Sequence, residues 1–299
     1  MSLRDKAYLA SLNISQWTGK KQDKEVTREV LHQHRAASDA GRFTKDLLAG
    51  STALRTVNAV IGQARTAHAR YTLPWAFQGQ RVLLAPVYDE YMAEYQKAKI
   101  AFDPAVRTFV YQEYTSAVQN ARSYLGSMWN AADYPSAQRM ARKFKMDVLV
   151  TSVPDNSDFV KLTDDEDNIR RRLQDATTAA VAAASASVFH RLYANLTDPE
   201  KGFLVKLANY QGTKEGAFRD SLFDNLRDLT ELMPKLNVAD DPKLTEMCDR
   251  VRAQLLAASP DAVRSSIRLR DTVIRDAAGI IADLARMGYG ADVDDDDSN

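Results

Sequence analysis

The stretch that decides the fold class is residues 164–195, DDEDNIRRRLQDATTAAVAAASASVFHRLYAN. It predicts one long α-helix, about 48 Å in length at 1.5 Å per residue. The carboxylates at its start complement the positive end of the helix dipole. The centre, residues 176–187, is rich in Ala, Ser and Thr. Because small side chains let another helix approach closely, we expect this face to pack on a second helix.

Helical periodicity continues on both sides of this stretch. It predicts further helices over residues 24–49, 52–70, 86–102, 103–125, 135–144, 214–232, 242–258 and 260–287. Local signals support these boundaries. Gly50 is predicted to end helix 24–49, and Ser51 to cap the N-terminus of helix 52–70. A capping residue followed by proline predicts the helix starts at 103–104, 241–242 and 259–260. Residues 197–199 carry the same kind of start signal.

Three short stretches predict β-strands because apolar and polar residues alternate or form a short apolar run. They are residues 9–17, 81–85 and 145–153. We therefore expect a mainly α fold, an elongated helical bundle with one small antiparallel sheet of about three strands at one end. The predicted regions are 1–160, with helical hairpins and the sheet, 161–290, which is helical, and 291–299, a disordered acidic tail.

Composition excludes several classes of protein. The 299 residues contain 40 basic and 40 acidic side chains, so a uniformly basic nucleic-acid coat is excluded, although a local patch is not. No apolar stretch is long enough for a membrane span, and residues 1–6 do not resemble a secretory signal. The single cysteine, Cys248, fits a reducing compartment. We expect a cytoplasmic protein with no membrane partner.

Motifs for catalysis, metals and nucleotides are weak. Glu29 and His32 have the Glu-x-x-His spacing of a di-iron bundle, but no second copy of that motif occurs. Cys248 has no neighbouring histidine and is interpreted as a buried structural thiol. The Gly212-Thr213-Lys214 sequence lacks the rest of a phosphate-binding loop. We therefore predict no catalytic residues, no metal and no cofactor, and an enzyme of another type stays a minor alternative.

A segment between residues 65 and 81 combines cations, amides and aromatic rings. Such a mixture suits single-stranded nucleic acid or a protein hot spot. The alternative is that Trp75 and Phe77 close the end of the core beside the sheet. The candidate binding residues in this segment are Arg65, Arg70, Tyr71, Trp75 and Arg81.

A second basic cluster precedes the third predicted strand. It contains Arg139, Arg142, Lys143 and Lys145, of which the last three join the candidate binding residues. If the sheet brings strands 81–85 and 145–153 together, this cluster lies near Arg81. The alternative is a set of separate solvated charges.

Several short motifs together resemble an uncharacterised family of tailed-phage and integrative-element proteins, known as a domain of unknown function. They are LNISQWTGK at 12–20, LPW at 73–75 before RVL at 81–83, FKM at 144–146 leading to VPDNSDF at 153–159, and LNVADDP at 236–242 with RLR at 268–270. The resemblance extends to about residue 288. The Asp-Phe-Arg that is usual in the family stands here as Asp158-Phe159-Val160.

The resemblance implies function only by association, because the family has no established activity or catalytic residues. Its genes tend to lie near a MoxR/CobS-like AAA+ ATPase, a von Willebrand A-domain protein and phage-type recombination genes. We therefore expect a non-enzymatic phage or mobile-element protein that acts by binding and self-assembly, as an accessory of nucleic-acid metabolism. The alternative is an adaptor or partner subunit of the AAA+ ATPase. The expected partners are copies of the chain itself, single-stranded nucleic acid and that ATPase.

Overall fold

The computed structural model of the protein describes residues 3–75, 79–154, 166–212 and 218–290. Over these residues the fold is mainly α, with two small sheets. The helices are α1 (Leu3–Lys6), α2 (Lys24–Gln33), α3 (Thr52–Tyr71), α4 (Tyr88–Arg107), α5 (Tyr114–Leu125), α6 (Ala137–Ala141), α7 (Glu166–Thr197), α8 (Phe203–Ala208), α9 (Ser221–Leu232), α10 (Pro242–Leu255), α11 (Pro260–Ser265) and α12 (Ile267–Leu284). The strands are β1 (Ala7–Ser15), β2 (Lys20–Gln22), β3 (Thr44–Asp46), β4 (Leu73–Pro74), β5 (Arg81–Leu84) and β6 (Lys145–Ser152).

The chain divides into two compact units, each made of separate stretches. The first unit comprises Met1–Ala10, Tyr71–Tyr88 and Val150–Asn299, and the second comprises Ser11–Arg70 and Asp89–Leu149. Strands β1 and β6 each run from one unit into the other. The boundary predicted near residue 160 lies outside the described residues, and so does the acidic tail at 291–299. Both stay predictions.

The larger sheet contains all three predicted strands and one that the sequence did not reveal. Its order is β4-β5-β1-β6. Strand β5 pairs antiparallel with β1, with Ala7 opposite Leu84, and with β4, where Leu73 lies opposite Val82. The prediction of about three strands is therefore one short, because the two residues of β4 are too few to show alternation. A second sheet pairs β2 with β3.

Helix 24–49 is the largest error of the sequence analysis. Helix α2 ends at Gln33, and Arg35 takes a positive φ of 51°, which is incompatible with a continuing helix. Residues of β3 then pair with β2, with Lys21 opposite Lys45. The apolar residues of 24–49 have mixed spacings, and pairing with a distant strand outweighs such a weak helical pattern.

Other helix boundaries were also predicted wrongly, among them the start of the predicted helix 214–232, which begins at Ser221. Helix α4 does not end before Asp103 but runs through Pro104, and a π-helical turn (Thr108–Glu113) joins it to α5. That turn places both Phe109 and Tyr114 in the core. The predicted helix 260–287 is two helices, because Ser266 leaves the helical conformation and its Oγ accepts a hydrogen bond from the backbone N–H of Leu269.

Each unit has its own packed interior. In the second unit, the ring of Phe109 lies 5.7 Å from those of Tyr114 and Phe144, centroid to centroid. In the first unit, α7 packs against α8, α12 and β4, which confirms that the long helix has a helical partner. Ala180 and Ala184 of its small-residue centre are buried. The predicted caps Ser51 and Ser259 are also confirmed, since each side chain accepts a backbone N–H.

Candidate functional site

The eight candidate binding residues are divided between the two units. Tyr71, Trp75 and Arg81 belong to the first unit, and Arg65, Arg70, Arg142, Lys143 and Lys145 belong to the second. In the first group Trp75 is half-buried, so recognition and core packing both stay interpretations of its role, and Phe77 lies outside the described residues. In the second group all five side chains are exposed.

Arg81 has a structural task in the first unit. Its Nε donates to Thr72 Oγ1 at 2.7 Å, and its Nη2 donates to the Thr72 carbonyl oxygen at 3.3 Å. Arg191, on α7, donates to the same carbonyl at 2.6 Å. Burial, together with the nearby charge of Arg81, lowers the pKa of Arg191 to about 10. The two arginines therefore fix the backbone that leads into β4.

Sequence reasoning did not single out Arg191. It lies between Val188 and Leu192, which are both fully buried. Its position beside the buried face of an alanine-rich helix could have identified it, because a buried cation needs a hydrogen-bond acceptor inside the fold.

The second unit contains an open groove of about 940 Å³ around α6. We call it the basic groove. Its lining residues are Ala132, Tyr134, Pro135, Ser136, Gln138, Arg139, Arg142 and Lys143. It contains two of the eight candidate residues, Arg142 and Lys143, together with Arg139 of the same sequence cluster. Lys145 is not part of its lining, and its Nζ pairs with Asp147 at 2.8 Å.

Core packing turns the cations of the basic groove outward. Met140 is fully buried, and Phe144 and Met146 enter the same core. Because α6 and the start of β6 are anchored by these three residues, the intervening cations are left on the outer surface. Arg139, Arg142 and Lys143 are all exposed there. Within the part of the chain that the structure describes, none of the three forms an ion pair.

Two tyrosines hold the segment that precedes α6. The hydroxyl of Tyr134 donates to the Leu47 carbonyl at 3.0 Å, and its ring stacks on Trp129 at 6.1 Å. The hydroxyl of Tyr114 donates to the Pro135 carbonyl at 2.8 Å. Burial raises the pKa of both tyrosines to about 12, so both remain neutral donors at physiological pH. The wall of the basic groove is therefore fixed by side chains from the core.

The carboxylate that comes just before the basic groove in sequence faces inward. Asp133 is 1% exposed and accepts a hydrogen bond from Lys21 Nζ. Lys45 Nζ lies 3.0 Å from Asp133 Oδ2 and 3.1 Å from Asp23 Oδ2, and it donates to the Met128 carbonyl at 2.7 Å. We call these four charged side chains the buried ion network. It links β2, β3 and the segment before α6.

Three charges in the buried ion network, those of Asp133, Asp23 and Lys45, are stabilised by their neighbours. Burial alone would raise the pKa of Asp133, but hydrogen bonds from Lys21 and Lys45 outweigh it and lower that pKa. The pKa of Asp23 is lowered by a hydrogen bond from the Val26 backbone and by Lys45. Burial alone would lower the pKa of Lys45, but its hydrogen bonds to the two carboxylates raise it. Asp133 is thus held in its charged form by two lysines inside the unit.

The described residues give little support for a metal site or a reactive thiol. They contain no cluster of three or more His, Cys, Asp or Glu side chains able to hold a metal ion. The Glu29 and His32 pair is exposed on α2. Cys248 is buried, as predicted, and burial raises its thiol pKa to about 11, which keeps it in the unreactive protonated form. No helix in the described ranges is long and apolar enough to cross a bilayer.

Comparison with known proteins gives no relative on which to base a function: no family model, no curated protein and no solved structure matches the chain.

Proposed function

We propose that this chain is a non-enzymatic accessory protein of a phage or mobile element, and that it binds the phosphate backbone of single-stranded nucleic acid through the basic groove. The observation that carries the proposal is the set of three exposed cations, Arg139, Arg142 and Lys143, without ion-pair partners among the described residues. The resemblance of the sequence to phage and integrative-element proteins supplies the biological setting.

The electrostatics of the basic groove favour an anion. Its lining contains three cations and no acidic residue. The acidic side chain just before it, Asp133, is neutralised by Lys21 and Lys45. A groove of one sign attracts ligands of the opposite charge and raises their local concentration.

The geometry favours an extended anion over a compact one. The basic groove is open and its volume of about 940 Å³ exceeds what one phosphate group fills. Arginine suits phosphate because its planar donors bind two oxygens at once. Gln138 and Ser136 add uncharged donors and acceptors of the kind that contact phosphate and sugar in nucleic-acid complexes. Such contacts position a strand without reading its sequence, so we expect binding with little sequence preference.

The experiment measures the affinity of the full chain for a fluorescein-labelled 20-nucleotide single strand by fluorescence anisotropy over a series of salt concentrations. The variant replaces Arg139, Arg142 and Lys143 with Ala. We expect affinity to fall at least about tenfold in low salt. We also expect the slope of log K against log salt to become shallower by about 2, since each lost single-strand phosphate contact accounts for about 0.7.

A matched control removes three exposed cations elsewhere in the second unit, at Lys24, Arg28 and Arg107. Its affinity and slope should stay close to those of the wild type. If both triple variants lose affinity equally, binding reflects overall charge and the proposal is wrong. If neither the wild type nor the control binds DNA, the function as a nucleic-acid accessory is also wrong.

The proposal includes self-assembly of the chain, which light scattering of the purified protein with and without DNA measures. A MoxR/CobS-like AAA+ ATPase as partner rests on the resemblance alone. Co-purification of the two proteins, with no DNA binding by the chain, would favour the adaptor function instead.

A further inference from the structure

A second cavity lies in the first unit, where the turn after α7, helix α8 and the beginning of α9 come together. Its volume is about 400 Å³, within the range of roughly 300–1,000 Å³ that is usual for small-molecule sites. We call it the α9 pocket. The residues that matter for its chemistry are Lys201, Lys206, Arg219, Ser221, Leu222 and Asn225.

The α9 pocket has an excess of positive charge. Lys201, Lys206 and Arg219 come from three different segments, and all are exposed. No described residue forms an ion pair with any of them. Asp198, in the turn that carries Lys201, accepts hydrogen bonds from the backbone N–H groups of Glu200 and Lys201, both at 2.9 Å, and its pKa is lowered by these bonds and, less strongly, by the charges of Lys201 and Lys206. The described lining of the pocket thus contains three cations and no acidic side chain.

Asp220, the acidic residue just before α9, also has a hydrogen-bond partner. Asp220 Oδ1 accepts a hydrogen bond from Arg264 Nη2 at 2.5 Å. Arg264 in turn lies 5.2 Å from the ring centroid of Phe218, measured from its Cζ. Asp220 is thus paired with Arg264, and among the described residues no ion pair joins it to Arg219.

Backbone N–H groups at the start of α9 already donate hydrogen bonds within the chain. The N–H of Leu222 donates to the Arg219 carbonyl at 3.0 Å, and the N–H of Phe223 donates to the Asp220 carbonyl at 2.9 Å. A ligand must therefore be held by side chains. The pocket offers three charged donors, the Ser221 hydroxyl and the Asn225 amide.

These observations fit one class of ligand. Several charged donors beside a hydroxyl and an amide match the many acceptor oxygens of phosphoryl groups. Leu222 is half-buried and adds an apolar wall that a bare inorganic ion would leave uncovered. We propose that the α9 pocket binds a small organic phosphate, with its phosphoryl groups on Lys201, Lys206 and Arg219 and its organic part against Leu222. The proposal does not depend on the basic groove or on nucleic-acid binding.

Isothermal titration calorimetry of the full chain tests this, with ADP and pyrophosphate as probes and sodium chloride of equal ionic strength as the blank. We expect both probes to bind and ADP to bind more tightly. Replacing Lys201, Lys206 and Arg219 with Ala should weaken ADP binding at least about tenfold. The single substitution Asn225→Asp puts a negative charge at an exposed position of α9 and should also weaken binding.

A control variant replaces three other exposed cations of the first unit, Lys243, Arg268 and Arg275, with Ala and should bind ADP like the wild type. The variant of the basic groove should also keep its ADP affinity, which separates this proposal from the proposed function. Absence of binding by the wild type at millimolar ADP, or equal loss in the two triple variants, would overturn the proposal. Equal affinity for ADP and pyrophosphate would overturn the role of Leu222.

Discussion

In the second unit, Lys21 and Lys45 point to carboxylates, whereas Arg139, Arg142 and Lys143 point to solvent. The acid that pairs with the first group, Asp133, comes just before the wall of the basic groove in sequence. Their difference shows how one unit uses like charges for two purposes. Cations paired with buried acids stabilise the fold, and cations left without acids are available to a ligand.

The comparison is tested most strongly by Asp133→Ala. Removing this carboxylate leaves Lys45, which is 7% exposed, with one acidic partner instead of two. Breaking a buried ion pair typically costs about 3–5 kcal/mol of unfolding free energy when the remaining charge has no other partner, and because Lys45 keeps Asp23 we take the lower end of that range. We expect a loss of that order in urea denaturation followed by circular dichroism. Asp147→Ala, which breaks the exposed pair with Lys145, is the control and should leave the urea midpoint unchanged.

The pH dependence of stability tests the same network without changing its shape. The pKa values of Asp133 and Asp23 are lowered in the folded state. Their contribution to folding stability is therefore fully present above about pH 3.8, the ordinary carboxyl pKa, and is lost as the pH falls through the lower folded pKa. The pKa of Lys45 is raised, so its contribution is present below the ordinary value of 10.5 and is lost as the pH rises through the higher folded pKa.

We therefore expect the urea midpoint of the wild type to fall below about pH 4 and above about pH 10.5. Asp133→Asn should reduce the fall on the acid side, because one of the two titrating carboxylates is gone. An acid-side profile that is identical in the variant and the wild type would show that Asp133 does not contribute through its charge.

A pair of arginine substitutions extends the comparison to the predicted binding residues. Arg81→Ala removes two hydrogen bonds to Thr72, and hydrogen bonds from charged donors contribute about 1.5–3 kcal/mol each to stability. We expect the unfolding free energy to fall by about 1.5–3 kcal/mol in total, because the 3.3 Å bond is weak and Arg191 still donates to the Thr72 carbonyl. Arg142→Ala, at an exposed side chain of the basic groove, should keep the wild-type melting temperature and lose DNA affinity. Unchanged stability of the Arg81 variant would contradict its structural role. A lowered melting temperature of the Arg142 variant, or an unchanged DNA affinity, would contradict its role in binding.

Local features of the fold were predictable, and long-range ones were not. Ser51 and Ser259 were recognised as caps because a cap involves residues within one turn. Strands β1, β5 and β6 were recognised from alternation or an apolar run. The burial of Lys45 could not be foreseen, since its partners Asp133 and Asp23 are distant in sequence and nothing around β3 indicates a buried cation.

The candidate site shows the same division. A run of cations at 139–145 was visible in the sequence, and the structure places three of them around one groove. The contribution of Tyr134 was missed, because its position depends on contacts with Leu47 and Trp129. The engagement of Arg81 with Thr72 was missed because a cation beside aromatic residues has the same pattern whether it binds a ligand or the backbone.

The smallest expected effect is that of Lys143→Ala. This exposed side chain has no ion-pair partner among the described residues, so its removal should leave thermal unfolding unchanged. If it contacts one phosphate of a bound single strand, the slope of log K against log salt becomes shallower by about 0.7. Arg107→Ala removes an equally exposed cation outside the basic groove and should leave the slope at its wild-type value. A slope change shared by both variants would mean that the strand responds to net charge, and the contrast between paired and unpaired cations would then have no bearing on where the strand binds.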